Sequence, residues 1–228
     1  MFNSKLSSLA ICLVIYILAF YFSYLLLPET SKSIWIKITL WHIYATLFIY
    51  IGSLLLKNSS LYDPFWSVAP IPIVIYLATT SENSFMIKLI ILIPIIFWGL
   101  RLTRNWIISW PGLKHEDFRY VDLKNTNSLK SELNNLFGIH LFPTLIVNIA
   151  LYPLLFVFTN DITITLSLCI ASLFTFLSVV LETVADEQMR KFRNNPDNKG
   201  KTMKLKLWKY SRHPNYLGEL LFWFGVCF

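Results

Sequence analysis

The chain alternates long apolar runs with short polar ones, and the lengths of the runs indicate its class. Leu6–Leu27 (LSSLAICLVIYILAFYFSYLLL) carries no charge, and about 20 largely apolar residues are enough for a helix to cross a bilayer. It is too long for the apolar core of a signal peptide, and no small-residue cleavage site follows it, so it predicts a retained span. Ile34–Leu56 predicts a second span, with Lys37 and His42 inside it. Phe65–Leu77 is short and interrupted by proline, either a broken span or a re-entrant segment. Phe85–Ile107 is a fourth run, and its C-terminal part holds Arg101, Arg104 and Asn105. Phe137–Phe158 and Ile162–Leu181 follow, separated only by Thr159, Asn160 and Asp161. Tyr216–Phe228 stops after 13 residues, about 20 Å of helix against a hydrocarbon core of roughly 30 Å. The pattern predicts an all-α membrane protein, a polytopic bundle of about seven transmembrane helices with the last one truncated. It reads as a single helical domain over 1–228, with spans near 6–27, 34–56, 65–78, 85–107, 137–159, 162–181 and 214–228.

Composition agrees. Hydrophobic residues make up 55% of the chain and charged residues 14%, which excludes a disordered polymer. The three cysteines, Cys12, Cys169 and Cys227, sit far apart inside apolar runs, so neither a disulfide framework nor a zinc site is suggested. The net charge of +7 raises nucleic acid or an anionic membrane surface as partners. Its distribution decides between them. With the N-terminus inside, the inner segments 1–5, 57–64, 101–136 and 182–215 hold 17 of the 20 Lys and Arg; Lys32, Lys37 and Lys88 remain outside. That is the bias of the positive-inside rule, it supports counting Phe65–Leu77 as a crossing, and it makes nucleic acid unnecessary.

Two substantial polar segments, 101–136 and 182–215, are the places to look for chemistry. In residues 204–225, Pro214 suits the first turn of a helix, with Ser211 or His213 near the N-cap. The free amides there form an anion site, to which Arg212 and His213 add cations. Asn215 and Glu219 share one helix face, and a carboxylate at the start of a span is a functional candidate. Upstream, Glu182 and Asp186 share one side of a helix end, Gln188 and Phe192 form a second i, i+4 pair, and a cationic loop follows. That loop suits either a ligand's phosphates or anionic lipid.

In the segment 101–123, Arg101 and Asn105 lie one turn apart, and His115, Glu116, Asp117 and Arg119 cluster without the second histidine of a zinc-binding helix, so no metal ligand is assigned. In LYDPFWSVAP, residues 61–70, Asp63 before Pro64 reads as a helix cap. Tyr62 and Asp63 are also the candidate catalytic pair, since a phenol bonded to a carboxylate can polarise a carbonyl or donate a proton. His42 reads first as a helix-to-helix hydrogen bond.

The strings ETVADEQMRKF and LWKYSRHPNYLGELLFWFG resemble the C-terminal half of the steroid 5-alpha-reductase-like superfamily, and most of all its uncharacterised multi-span branch. YDPFWSVAP and RLTRNWIISWPGLKHEDFRYV extend the resemblance to roughly residues 60–228. SRHPNYLGE is also similar to a segment of isoprenylcysteine carboxyl methyltransferases. The resemblance implies a bundle with NADPH in a cytoplasm-facing cavity and a lipid-like substrate entering from the bilayer, its activated carbon–carbon double bond receiving a hydride. Asp186 then matches an acidic cofactor-site residue, and Arg212, Asn215, Tyr216 and Glu219 match the terminal cofactor motif. Arg101, Asn105, Arg119, Tyr210 and His213 join them as candidate cofactor contacts. Glu182 stands where the steroid reductases have asparagine, and Lys206 where the branch usually has glycine, a departure expected to alter that turn. The expected function is an NADPH-dependent reductase of an enone-like lipid in the endoplasmic reticulum or bacterial inner membrane, with the N-terminus and cofactor loops cytoplasmic. The alternatives are a membrane S-adenosylmethionine-dependent methyltransferase and a non-catalytic protein of the same fold.

Overall fold

The computed structural model describes residues 4–28, 33–124 and 128–228; Lys32 and residues 1–3 lie outside the described residues. Every regular element among the described residues is helical. In a bilayer core, a helix satisfies its backbone polar groups internally, which favours it over an open strand. The α-helices are α1 (Lys5–Leu25), α2 (Ile34–Leu56), α3 (Phe65–Val68), α4 (Pro70–Thr80), α5 (Phe85–Ser109), α6 (Phe118–Lys124), α7 (Ser128–Leu133), α8 (Phe142–Ala150), α9 (Tyr152–Thr159), α10 (Leu166–Asn194) and α11 (Pro214–Cys227).

Among the described residues, six helical stretches are long and apolar enough to cross a membrane: Lys5–Leu25, Ile34–Leu56, Ser59–Thr80, Phe85–Ser109, Leu129–Ala150 and Leu166–Asn194. Four of the expected crossings are among them nearly as read. The third expected run becomes a helical stretch of 22 residues, because a 3-10 turn at Ser59–Leu61 and α3 extend it upstream of its prolines. The fifth is shifted toward the N-terminus, and the chain breaks at Leu151 before the short α9. α10 runs 13 residues past the apolar boundary at Leu181, carrying Glu182 and Asp186 on a continuous helix. α11, at 14 residues, is about 21 Å long.

The chain divides into two compact units, Met1–Ile73 with Leu102–Leu155 and Val74–Arg101 with Phe156–Phe228. In the first, α1 starts in a Ser4–Ser7 capping box and buries Cys12, Tyr16 and Ala19 with Ala45 and Ile49 of α2 and Leu61, Tyr62 and Phe65. The Tyr16 hydroxyl donates to the Leu61 carbonyl at 2.5 Å. Between α7 and α8 the helix widens into a π turn, Asn134–Leu141, in which Phe142 N–H reaches the Phe137 carbonyl five residues back. Pro143 has no N–H to offer Ile139, so the ordinary ladder is interrupted there.

In the second unit α10 and α11 pack closely. A Cβ on Gly218 would stand 2.8 Å from Glu182 Cβ and 2.9 Å from the Ser178 carbonyl oxygen. Gly225, two turns on, meets Thr175 and Phe174 on the same seam. With little hydrophobic drive between helices in lipid, this small-residue contact supplies packing. Phe222 is fully buried and stacks on Trp98 of α5 at 4.8 Å.

Candidate functional site

In the first unit the segment after α5 docks onto the turn at residues 58–60. Asn58 Nδ2 donates to the carbonyls of Leu113 (2.8 Å) and His115 (3.0 Å). Glu116 Oε1 accepts from Ser59 N–H at 2.5 Å, and Ser60 Oγ accepts from Asp117 N–H at 2.9 Å. These four bonds hold α6 in place, and α6 carries Tyr120 to Asp63. The Tyr120 hydroxyl donates to Asp63 Oδ1. Arg119 is held bidentately by Asp117, at 2.8 Å through both Nε and Nη2.

The expected partner of Asp63 was Tyr62, and the structure corrects this. Tyr62 turns its hydroxyl to Thr144 Oγ1 at 2.8 Å. Thr144 and Thr46 hydroxyls are 2.9 Å apart, and Thr46 donates to the His42 carbonyl at 2.8 Å. Each hydroxyl has one proton, so the chain runs one way: Tyr62 donates to Thr144, Thr144 to Thr46, and Thr46 to the backbone. Asp63 is not a helix cap either; Pro64 occupies that position without a side-chain bond. Among the described residues His42 makes no helix-to-helix hydrogen bond: its ring is fully buried and neither nitrogen has a partner there.

Tyr62, Asp63, Trp66, Tyr120 and Gly138 line a cavity of about 400 Å³, with Arg119 also on its wall. Gly138 belongs to the π turn and has open space where a Cβ would stand, so the widened turn leaves room at the wall. Burial, and then the Asp63 carboxylate, pushes the Tyr120 phenol well above its ordinary range, which keeps it a proton donor. The Arg119 guanidinium holds the Asp117 carboxyl below its usual range. Tyr120 was missed by sequence reasoning, although the KHEDFRY string containing it was singled out; its partner lies 57 residues away.

The second unit holds a buried charge cluster. Arg101, 4% exposed, donates from Nη2 to Glu182 Oε1 and from Nη1 to Asp186 Oδ2 at 2.6 Å. Among the described residues, Glu182 Oε2 and Arg101 Nε are buried without a hydrogen bond that meets ordinary geometry, and Glu182 also faces the Glu219 carboxyl. Both oxygens of Glu219 are taken by indoles, Trp98 Nε1 at 3.0 Å and Trp223 Nε1 at 2.8 Å. The spacing of Glu182 and Asp186 does place both on one side of α10, where they share one guanidinium.

At the start of α11, His213 occupies the N-cap and Pro214 the first turn. Asn215 Oδ1 is buried there with no hydrogen-bond partner among the described residues. His213 and Tyr216 stack in the open, 5.3 Å apart, and Arg212 and Tyr210 are exposed. Of the expected cofactor contacts, Asn105 and Arg119 belong to the first unit, and Arg101, Asp186, Tyr210, Arg212, His213, Asn215, Tyr216 and Glu219 to the second. Lys206 has a φ of 56°, in the left-handed region that glycine adopts without strain.

Helices of this length and apolarity, with their polar side chains buried against one another, define a multi-pass helical membrane protein. Within that class the chain belongs to the family described as protein of unknown function DUF1295, whose model matches residues 49–228. No curated protein and no solved structure matches it.

Proposed function

We propose that the protein is an integral-membrane oxidoreductase that uses NADPH to reduce the activated carbon–carbon double bond of a lipid-like substrate such as an enone. The observation that carries this reading is the Asp63–Tyr120 pair on the wall of the 400 Å³ cavity. Reduction of an enone places negative charge on its carbonyl oxygen, and a positioned hydroxyl lowers that cost. Tyr120 is the donor suited to this, because its partner on the cavity wall is a carboxyl group. With Asp63 protonated, Asp63 donates to the phenol oxygen and the Tyr120 proton is free for the substrate, whereas Tyr62 is tied into a one-way chain of hydroxyls. Asp63 holds the Tyr120 hydroxyl in place and completes the acid pair.

The residues at the start of α11 fit a dinucleotide. Asn215 offers a buried acceptor without a partner, suited to a ribose hydroxyl. The His213–Tyr216 stack offers a flat face for a base, and Arg212 has no side-chain partner among the described residues. The helix N-terminus adds free amides for phosphate. Arg101 and Glu219 fit less well in that role, because their polar atoms already serve Glu182, Asp186, Trp98 and Trp223. NADPH, when bound, supplies the reducing equivalent; the protein supplies position and polarity. In this reading the N-terminus and the cationic loops face the cytoplasm, and the substrate enters from the bilayer of the endoplasmic reticulum or bacterial inner membrane.

Purified protein titrated with NADPH is expected to bind it saturably, with Arg212→Ala weakening the binding and S-adenosylmethionine giving none. Tyr120→Phe and Asp63→Asn are expected to lower the turnover of an enone lipid by about 10²–10⁴, and Tyr62→Phe by much less. Absence of NADPH binding at millimolar concentration sinks the reading.

A further inference from the structure

Gly138 is a glycine that the fold does not require. Gly52, Gly218 and Gly225 each have close neighbours that leave little room for a side chain, and Gly112 and Gly200 have positive φ. Gly138 has neither reason: its φ is outside the left-handed region, and nothing stands within 4 Å of where its Cβ would be. It lies inside the π turn, and glycine within a helix is less stable than alanine because it loses more conformational freedom on folding. The interruption that opens the π turn follows from the missing N–H of Pro143, not from Gly138. A destabilising glycine that neither packing nor backbone angle explains marks a place where a ligand approaches the main chain.

Its surroundings indicate the ligand's character. Gly138 lines the Asp63–Tyr120 cavity and is itself exposed, so it belongs to the rim. Tyr62 and Ile139 are buried and form the floor, while Arg119 and Leu123 of α6 are exposed and complete the rim. Phe137 and Phe142 flank Gly138 and are 56% and 62% exposed. They stand one π turn apart, since the Phe142 N–H reaches the Phe137 carbonyl. Both lie in Leu129–Ala150, a stretch long and apolar enough to cross a membrane, where exposed apolar side chains meet acyl chains and not water. The rim therefore has a polar edge, the Arg119–Asp117 ion pair, and an apolar edge with a gap at Gly138. That is the profile of an amphiphile with one polar end and an apolar body.

We infer that Gly138 is a notch for the tail of a long-chain lipid ketone, whose carbonyl lies at the Asp63–Tyr120 pair while its tail leaves between Phe137 and Phe142 into the acyl chains. The placement of the carbonyl rests on the reductase reading; the notch rests on the unexplained glycine and the exposed phenylalanines beside it. Such a ligand binds without leaving the bilayer, and the size of residue 138 sets which tails pass. A ketone short enough to end inside the 400 Å³ cavity does not reach the notch. Gly138 is thus a specificity-determining position and touches no reacting atom.

The test uses the full chain in phosphatidylcholine nanodiscs and reads binding and turnover separately. For binding, G138C in a C12A/C169S/C227S background is labelled with N-ethylmaleimide, beside L145C, an exposed position on the same stretch that does not line the cavity. Saturated ketones are the probes, because they do not alkylate the thiol. Hexadecan-2-one is expected to protect G138C from labelling, hexan-2-one is expected not to, and L145C is expected to label freely with either. For turnover with NADPH, G138L is expected to lower the ratio of kcat/KM for nonadec-3-en-2-one to that for hept-3-en-2-one by about tenfold or more, and G138A by less. Circular dichroism of G138L confirms intact helices, and G138A repeats the comparison with a smaller side chain. G138C that labels equally with and without hexadecan-2-one overturns the notch, as does a wild-type ratio retained in G138L. Protection of G138C in a protein that turns over neither enone supports the notch and counts against the reductase reading instead.

Discussion

At the scale of single residues, the structure separates side chains that have spare hydrogen-bonding capacity from those that do not. Glu219 and Arg101 look alike in sequence to Asn215 and Arg212, yet the first two are largely occupied by protein partners. Tyr120 also makes a prediction about pH. An unfolded phenol titrates near 10, and the folded value is raised by burial and by Asp63. A group whose folded value is raised contributes its full stability below the unfolded value and loses it as pH rises through the folded one. The difference in melting temperature between the wild type and Tyr120→Phe is therefore expected to be constant from pH 7 to 9 and to shrink above about pH 10. Lys206 makes a second. Its positive φ is costly for a side chain and free for glycine. Lys206→Gly is expected to raise stability by about 1 kcal/mol, read as a shift in thermal unfolding.

At the scale of elements, the contact between α10 and α11 depends on Gly218, where any Cβ meets backbone and not a side-chain tip that can move aside. Gly218→Ala is expected to destabilise by about 1–3 kcal/mol, measured by thermal unfolding in detergent, whereas Gly138→Ala, with open space around it, is expected to cost much less. The seven-residue spacing of Gly218 and Gly225 is legible in the sequence as two turns of one helix face. The helix they approach is not, since nothing local to α11 indicates α10. The π turn was equally illegible: Gly138 and Pro143 sit in an apolar run that reads as an uninterrupted helix.

At the scale of the whole chain, the cation distribution and the six apolar helices make one joint prediction. If all six cross, an even number of crossings separates the N-terminus from the loop after α10, which predicts that both lie on the same side of the membrane. Single cysteines placed at Ser4 and at Asn198 in a cysteine-free background are expected to react with an impermeant maleimide from one side only, and the same side. Labelling from opposite faces would mean that one of the six helices does not cross.

The sequence by itself determined the helical membrane class, the approximate spans and the segments in which polar chemistry collects. These follow from the transfer of apolar runs out of water, which depends on local composition. Tertiary structure alone decided which polar groups meet. Asp63 finds Tyr120 across 57 residues and Arg101 finds Glu182 across 81. A hydrogen bond is set by distance and direction after the helices have packed, and neither quantity is encoded within one turn of chain. The carboxylates on α10 were readable as a pair, but Arg101 as their shared partner was not, and neither was Tyr120 as the phenol on Asp63.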